Sequence, residues 1–277
     1  MRVAALTMIY NEPLWAPVWV RHYARQVGAE HCFVLDHGST DGSTDGLDVS
    51  VERLPRSALD EDARAALVSD RVRELLRRYD AVVHTDADEL LLADPARYKD
   101  LRAYAVDAPP VVTAAGLDLQ HLPGDEVPLD AARPIGAQRR WVRFSGAMCK
   151  PAMVRTPVRW QPGFHACDAD RAFGPLYLVH LRYADLDAGL KRLARTRSQT
   201  FASADTNPHQ RVPDEAFESM VRQIARLPLV EGDLRPDGAL LAPWLDRMRA
   251  GWARDDGQLS LAGDVLWALP EYVRAVL

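Results

Sequence analysis

Cysteine is scarce in this chain. Only Cys32, Cys149 and Cys167 occur among its 277 residues. An odd number of scattered cysteines gives no disulfide framework, and a reducing cytoplasm is the expected setting. Long apolar runs are also missing. No uninterrupted stretch reaches the roughly 18 residues that a membrane-spanning helix needs. Residues 1–10 carry one basic side chain and a short apolar run, so they read as a strand rather than a signal peptide. A basic excess is absent as well. The formal net charge of −5 excludes broad binding to nucleic acid, which needs a basic face. Internal repeats and low-complexity segments are lacking. What remains, 48% hydrophobic and 26% charged residues, is ordinary for a globular protein. The length suits one large α/β domain, or a domain of about 200 residues with an extension.

Residues 3–9 are continuously apolar and are expected to form a fully buried strand. Asn11-Glu12-Pro13 marks the turn into a helix, with Asn11 as N-cap and Pro13 near the first turn. Leu14, Trp15, Val18, Trp19, Tyr23 and Val27 then recur at helical spacing until Gly28. Residues 32–35 read as a second buried strand ending at Asp36, and 49–54 as a third. A helix is expected over 61–79, with Ala63, Ala66, Leu67, Val72, Leu75 and Leu76 inward, followed by a strand at Val82 and Val83. This order gives an α/β fold with a mainly parallel sheet flanked by helices.

Residues 111–114 and 176–179 read as further strands, and 131–162, rich in Arg, Pro and Gly, as irregular. Helices are expected over 187–197, 214–227 and 242–254, with turns at Asn207-Pro208 and at 235–238. The expected organisation is a nucleotide-binding, catalytic domain over 1–183 and a helical C-terminal extension over 184–277 packed on it. Trp244, Met248 and Trp252 fall at helical spacing and are expected in the core rather than against a membrane.

Residues 82–92 are an apolar run interrupted by Asp86 and Asp88. Ligands collect at the carboxyl end of parallel strands. In an extended segment, side chains two apart point the same way. Asp86 and Asp88 are therefore expected to converge on one point. Two hard oxygen donors suit Mg²⁺ or Mn²⁺, held by a few carboxylates together with substrate phosphates. A solvated loop is the alternative. Asp36, at the end of the second strand, stands where a carboxylate accepts from a ribose hydroxyl or a base N–H, with Gly38-Ser39-Thr40 admitting the ligand to the backbone. An Asx-turn, in which Asp36 bonds its own loop, is the competing reading.

Residues 41–52 nearly spell an EF-hand loop, but their flanks read as strands and Asp48 stands where an apolar residue is required. A haloacid-dehalogenase-type phosphatase loop fails at Gly38, where a second Asp would stand. Gly163-Phe164-His165-Ala166-Cys167-Asp168-Ala169-Asp170 is dense in ligands and bases. His165 is a candidate third metal ligand or else a structural histidine, and Asp168 or Asp170 a candidate general base for an acceptor hydroxyl. Cys149, His165 and Cys167 fit no common zinc spacing. Lys150, Arg155 and Arg159, and again Lys191, Arg192 and Arg195, form basic clusters suited to a diphosphate or an acidic acceptor. A solvated helix face is the alternative for the second.

Taken together, Met8-Ile9-Tyr10-Asn11-Glu12, Asp36-His37-Gly38-Ser39-Thr40-Asp41-Gly42 and Asp86-Ala87-Asp88-Glu89-Leu90 resemble the family 2-like glycosyltransferases of the GT-A fold. Their order and intervals match that family's Asn-Glu, Asp-x-x-Ser-x-Asp-Gly and Asp-x-Asp-Glu-Phe elements. Leu90 replaces the common Phe and leaves the carboxylates intact. Further on, Lys150 with Arg155, then Gly163-Phe164-His165, His180-Leu181-Arg182-Tyr183 and Lys191 are similar to the later half of related bacterial transferases.

The resemblance implies a nucleotide-sugar donor, a UDP-sugar favoured, and a divalent metal, Mn²⁺ or Mg²⁺, at Asp86, Asp88 and His165. It places Asn11, Glu12, Asp36, Ser39, Asp41, Asp86, Lys150 and Lys191 at the donor and implies inversion at the anomeric carbon. The acceptor expected is a hydroxyl of a glycan, a lipid-linked glycan or a small molecule, with loose membrane association through the carboxyl-terminal tryptophans left open. Two other readings stand beside this one. A sugar-phosphate nucleotidyltransferase needs a Gly-rich basic loop after the first strand, where this chain has Tyr10-Asn11-Glu12-Pro13. A non-catalytic nucleotide-binding scaffold draws support from the acceptor side, where the expected acidic pair has no clean counterpart beyond Asp168 and Asp170.

Overall fold

Seven uncharged residues after Arg2 form β1 (Val3–Ile9), nearly all of it buried, and the parallel part of the sheet is built around it. The computed structural model describes residues 1–203, 210–254 and 260–277; the turn expected at Asn207-Pro208 lies outside them. After β1 come α1 (Trp15–Val27), β2 (Cys32–Asp36), β3 (Ser50–Arg53), α2 (Glu61–Leu75), β4 (Ala81–His84), β5 (Glu89–Ala93) and α3 (Leu101–Ala105). Then follow β6 (Val111–Gln120), β7 (Trp141–Phe144), β8 (Pro151–Val154), β9 (Ala172–His180), α4 (Leu186–Arg197), α5 (Asp214–Ile224), β10 (Leu229–Val230), α6 (Ala242–Arg254), β11 (Leu266–Ala268) and α7 (Glu271–Arg274). The chain is an α/β protein.

The chain divides into two compact units, the first comprising Met1–Ser57, Glu61–Ala115 and Cys149–Leu178. Its strands run in the order β3-β2-β1-β4, all parallel. Antiparallel β8 and the start of β6 continue the order beyond β4, and β5 pairs with β9. Ala4 and Leu6, two apart and so on one face of β1, pack with Ala65, Val68, Val72 and Leu75 of α2.

That stripe differs from the expected one, because Ala63 and Ala66 are exposed. Val68 and Val72 bury more apolar surface than alanines do, and they set the rotation of the helix. The helix also stops at Leu75, where the bonding tightens: Arg77 N–H donates to Glu74 C=O and Arg78 N–H to Leu75 C=O. Helix α1 ends at Gly28 as expected, with φ at +101°. Its N-cap is Leu14 rather than Asn11, because the Asn11 side chain turns toward a neighbouring loop instead.

The stretch 131–162 is less irregular than its composition suggests. It holds β7 and β8, four residues each, with Pro151 at the first position of its strand, where a missing N–H is tolerated. Strands β6 and β9 both run longer than their apolar centres.

The second unit comprises Ala58–Asp60, Gly116–Met148 and Val179–Leu277. The helices expected as an extension thus group with 116–148. The Asp185 side chain caps α4 by accepting the Ala188 N–H at 2.9 Å. Helices α4 and α5 meet through Leu186, Leu193, Phe217 and Val221. Helix α5 stops at Ile224, short of 227, and α6 covers the expected span. In α6, Met248 is buried and the Trp244 ring lies tilted against that of Phe144, with centroids 5.0 Å apart. No described helix is long and apolar enough to cross a membrane.

Candidate functional site

In the order β3-β2-β1-β4 the chain winds outward from β1 to β3, then returns to place β4 on the other side of β1. A crevice opens outside the carboxyl ends at such a reversal, and α/β proteins bind ligands there. Three segments leave these ends: Tyr10-Asn11-Glu12 after β1, the loop beyond Asp36 after β2, and Thr85-Asp86 after β4. They carry most of the residues singled out in the sequence.

The loop after β2 is tied to the end of β1 by side chains. Asn11 N–H donates to Ser39 Oγ at 2.9 Å, Asn11 Oδ1 accepts the Thr40 N–H at 2.8 Å, and Glu12 N–H donates to Ser43 Oγ at 3.2 Å. Asp36, 1% exposed, accepts the Ser39 N–H at 2.7 Å on Oδ1. Its Oδ2 accepts the Thr44 hydroxyl at 3.1 Å and Arg53 Nη1 at 3.3 Å. Asp41 Oδ1 accepts the Ser43 N–H at 3.0 Å. The self-bonded loop weighed for Asp36 is thus present, and both carboxylates shape the loop. Gly38 is required twice over: its φ is +75°, and a Cβ there would stand 2.8 Å from Arg56 Cβ.

The acidic turn corrects an expectation. Strand β4 stops at His84 and β5 begins at Glu89; between them Glu89 N–H donates to Asp86 C=O at 3.0 Å and closes a tight turn. Asp86 and Asp88 therefore do not sit on an extended segment, and the two-residue alternation does not apply. The Asp86 side chain is 23% exposed, whereas Asp88 is 1% exposed.

Two cations that lie far apart in sequence meet at Asp86. Arg64, on α2, donates to Asp86 Oδ1 and to Glu61 Oε2. Lys150 Nζ donates to Glu89 Oε1 at 2.6 Å and lies 3.5 Å from Asp86 Oδ2. Glu89 Oε2 in turn accepts the Asp86 N–H at 3.1 Å. Burial opposes the charge on Lys150, but Glu89 and Asp86 outweigh it and raise its pKa. The same balance, with Asp86 and Glu61 as partners, raises that of Arg64. Both stay protonated at neutral pH.

The turn carrying His165 packs beside this cluster. The described residues include two non-glycine residues with positive φ, Asn11 (+51°) and Phe164 (+62°), and both are here. For an aromatic residue this is a costly conformation of the kind that gathers at functional sites. The Phe164 ring lies 4.3 Å from that of His84 and 4.9 Å beneath the Arg64 guanidinium. Burial pushes the His84 pKa down to about 3, so its imidazole is neutral. A Cβ on Gly163 would meet the His165 ring at 2.9 Å, so the glycine leaves room for that ring. Asp168 and Asp170 are exposed on the same segment, and Asp168 Oδ1 accepts the Arg159 N–H at 2.7 Å. Of the first basic cluster, only Lys150 contacts the acidic turn in these bonds; Arg155 donates to Ala108 C=O at 2.6 Å. Lys191 is exposed on α4 in the second unit and takes no part in these contacts.

Sequence reasoning missed Arg64 and the ion-pair role of Glu89. Arg64 reads as one more polar residue on a helix, and nothing local signals a partner 22 positions on. As a donor set, Asp86 and Asp88 offer hard oxygens only. Among the described residues no group of three His, Cys, Asp or Glu is placed to hold a metal by itself. Such a pair fits Mg²⁺ or Mn²⁺ whose remaining positions are filled by phosphate oxygens and water.

No family model and no curated protein matches the chain. Among solved structures, it is similar to a mycobacterial protein at 17% identity over 44% of this chain and 42% of that one, with a TM-score of 0.30. A mannosyltransferase from Pyrobaculum calidifontis, in complex with GDP-Man and Mn²⁺, matches at 14% identity over 91% of this chain and 80% of its own, with a TM-score of 0.34. A mannose-1-phosphate geranyltransferase from Thermus thermophilus matches at 15% identity over 99% and 77%, with a TM-score of 0.32. Likenesses of this size carry no argument about activity, which rests on the site's own residues.

Proposed function

We propose that the chain is a cytoplasmic, divalent-cation-dependent glycosyltransferase that moves a sugar from a nucleotide-sugar, a UDP-sugar favoured, to an acceptor hydroxyl with inversion. The observation that carries this reading is the pairing, at the reversal between β1 and β4, of a preshaped polar loop with an acidic turn held by the buried Lys150 and the half-buried Arg64. In this reading Asn11, Glu12, Ser39, Asp36 and Asp41 form the nucleoside cradle, the two aspartates through the loop they hold. Arg64 and Lys150 face the diphosphate. Asp86 and Asp88 would hold the cation, with phosphate oxygens and water rather than His165 in its remaining positions.

The charges support an ion that arrives with its diphosphate. Two cations touching Asp86 repel a bare divalent ion, while the negative diphosphate cancels that repulsion. When bound, the ion would stabilise negative charge on the leaving diphosphate. Arg64 and Lys150 offer charge-assisted bonds to the same oxygens. The acceptor oxygen bonds to the anomeric carbon as the sugar–phosphate bond breaks, and its proton passes to a carboxylate, Asp168 or Asp170. The acceptor is a glycan, a lipid-linked glycan or a small molecule.

The test is release of nucleoside diphosphate from a panel of UDP- and GDP-sugars with Mn²⁺. Release by the wild type, abolished in Asp88→Ala with an unchanged circular dichroism spectrum, supports the reading. Release that needs metal yet survives in Asp88→Ala overturns the site, and binding without any release points instead to a non-catalytic scaffold.

A further inference from the structure

Behind the acidic turn, α1 supplies a hydrogen-bonded relay that the proposed chemistry does not use. Trp19 and Tyr23 are both fully buried, one helical turn apart on α1. Trp19 Nε1–H donates to Thr85 Oγ1 at 2.9 Å, and the Thr85 hydroxyl donates to Tyr23 Oη at 3.0 Å. Tyr23 Oη also accepts the Leu91 N–H at 2.8 Å and donates to Glu89 C=O at 3.1 Å.

The polarity of this relay is fixed. An indole N–H only donates, so the Thr85 oxygen accepts and its hydrogen goes to Tyr23. Tyr23 then accepts twice, and its own hydrogen goes to Glu89. Beside it, His22 Nε2 bonds Leu91 C=O at 2.8 Å. Burial keeps His22 neutral, with its pKa lowered to about 4, so Nε2 carries the proton and donates. The relay grips the chain immediately before Asp86, at Thr85, and immediately after Asp88, at Glu89. It therefore fixes both ends of the segment that presents the two carboxylates.

We infer that Trp19, Tyr23 and Thr85 are positioning residues that set the spacing of Asp86 and Asp88 for a divalent cation bound with a diphosphate; this rests on the reading of the acidic turn given above. Partners that orient ligands from behind matter nearly as much to a metal as the ligands themselves, and their loss weakens binding about tenfold or more.

The test is calorimetric titration of Mn²⁺ with UDP, and separately with GDP, into wild type, Thr85→Val, Thr85→Ser and Tyr23→Phe. Valine matches threonine in shape and breaks the relay; serine keeps the hydroxyl. The expected result is affinity about tenfold weaker in Thr85→Val and within about twofold of wild type in Thr85→Ser, with Tyr23→Phe behaving as Thr85→Val. The electron paramagnetic resonance line shape of bound Mn²⁺ should change in Thr85→Val and be restored in Thr85→Ser. If Tyr23→Phe does not fold, the Thr85 pair still decides. Equal affinity in wild type and Thr85→Val overturns the inference, as does equal weakening by Val and Ser. A wild type that binds neither nucleotide with Mn²⁺ overturns the reading of the site, and the inference falls with it.

Discussion

Asp36 ends, and Asp86 follows, a parallel strand that borders β1, yet their carboxylates meet different partners. Asp36 accepts from Ser39 and Thr44 in its own loop, with Arg53 added from the end of β3. Asp86 meets Arg64 from α2 and Lys150 from the segment before β8, 22 and 64 positions away. The first aspartate makes a shape, and the second sits in a field. A loop held by its own side chains presents fixed backbone groups to a ligand that needs close fitting, such as a nucleoside. A carboxylate between two cations exchanges charge with whatever enters, as a diphosphate and its cation require.

That contrast is open to experiment, and the largest effect belongs to the field. Asp86→Ala removes the shared partner of Arg64 and Lys150, and Mn²⁺-dependent binding of nucleoside diphosphates should fall more than about a hundredfold by calorimetry. Glu89→Ala leaves Lys150, 7% exposed, with only the longer contact to Asp86. Removing one member of a buried pair strands the other charge, so urea unfolding should show a loss of about 3 kcal/mol. A loss under about 1 kcal/mol would mean that Lys150 is solvated in solution.

The loop should answer more weakly. Asp36→Ala leaves the buried Ser39 N–H and Thr44 hydroxyl without their acceptor, at a cost of about 1–2 kcal/mol, whereas Asp36→Asn keeps one acceptor oxygen and costs less. Equal losses in the two variants would contradict the shaping role.

The most gradual effect is a pH slope. His22 is neutral when folded and takes up a proton on unfolding below its ordinary value of 6.5. Its folded pKa is lowered, so stability is full above pH 6.5 and falls as pH drops toward 4, by at most about 1.4 kcal/mol per unit. His22→Phe should flatten the slope of unfolding free energy in that window. An unchanged slope would assign the acid sensitivity to other groups.

Particular residues show why some of this was legible in the sequence and some was not. The span of β1, the Gly28 stop and the whole of α6 follow from local patterns, and local patterns are written in consecutive residues. The three motif segments could be placed at strand ends for the same reason. The arrangement of Asp86 and Asp88 could not, because one backbone bond from Glu89 to Asp86 turns an apparently extended run into a turn. Arg64 stayed hidden because a salt-bridging arginine and a solvated one look alike on a helix. Strands β7 and β8 escaped because four-residue strands among Arg, Pro and Gly leave too little periodicity to read. Tyr23 was legible as core, but its hydroxyl gained a purpose only when Thr85, Glu89 and Leu91 were brought around it.

The central claim is that a divalent cation and a diphosphate enter this site together. Calorimetric titration of Mn²⁺ into the wild type, alone and with saturating UDP or GDP, tests it most directly. Weak or unmeasurable binding of Mn²⁺ alone and tight binding with one of the nucleotides are expected. By reciprocity, that nucleotide should gain the same factor in affinity from Mn²⁺. Mn²⁺ binding of equal strength with and without nucleotide would contradict the account, as would failure of both nucleotides to bind.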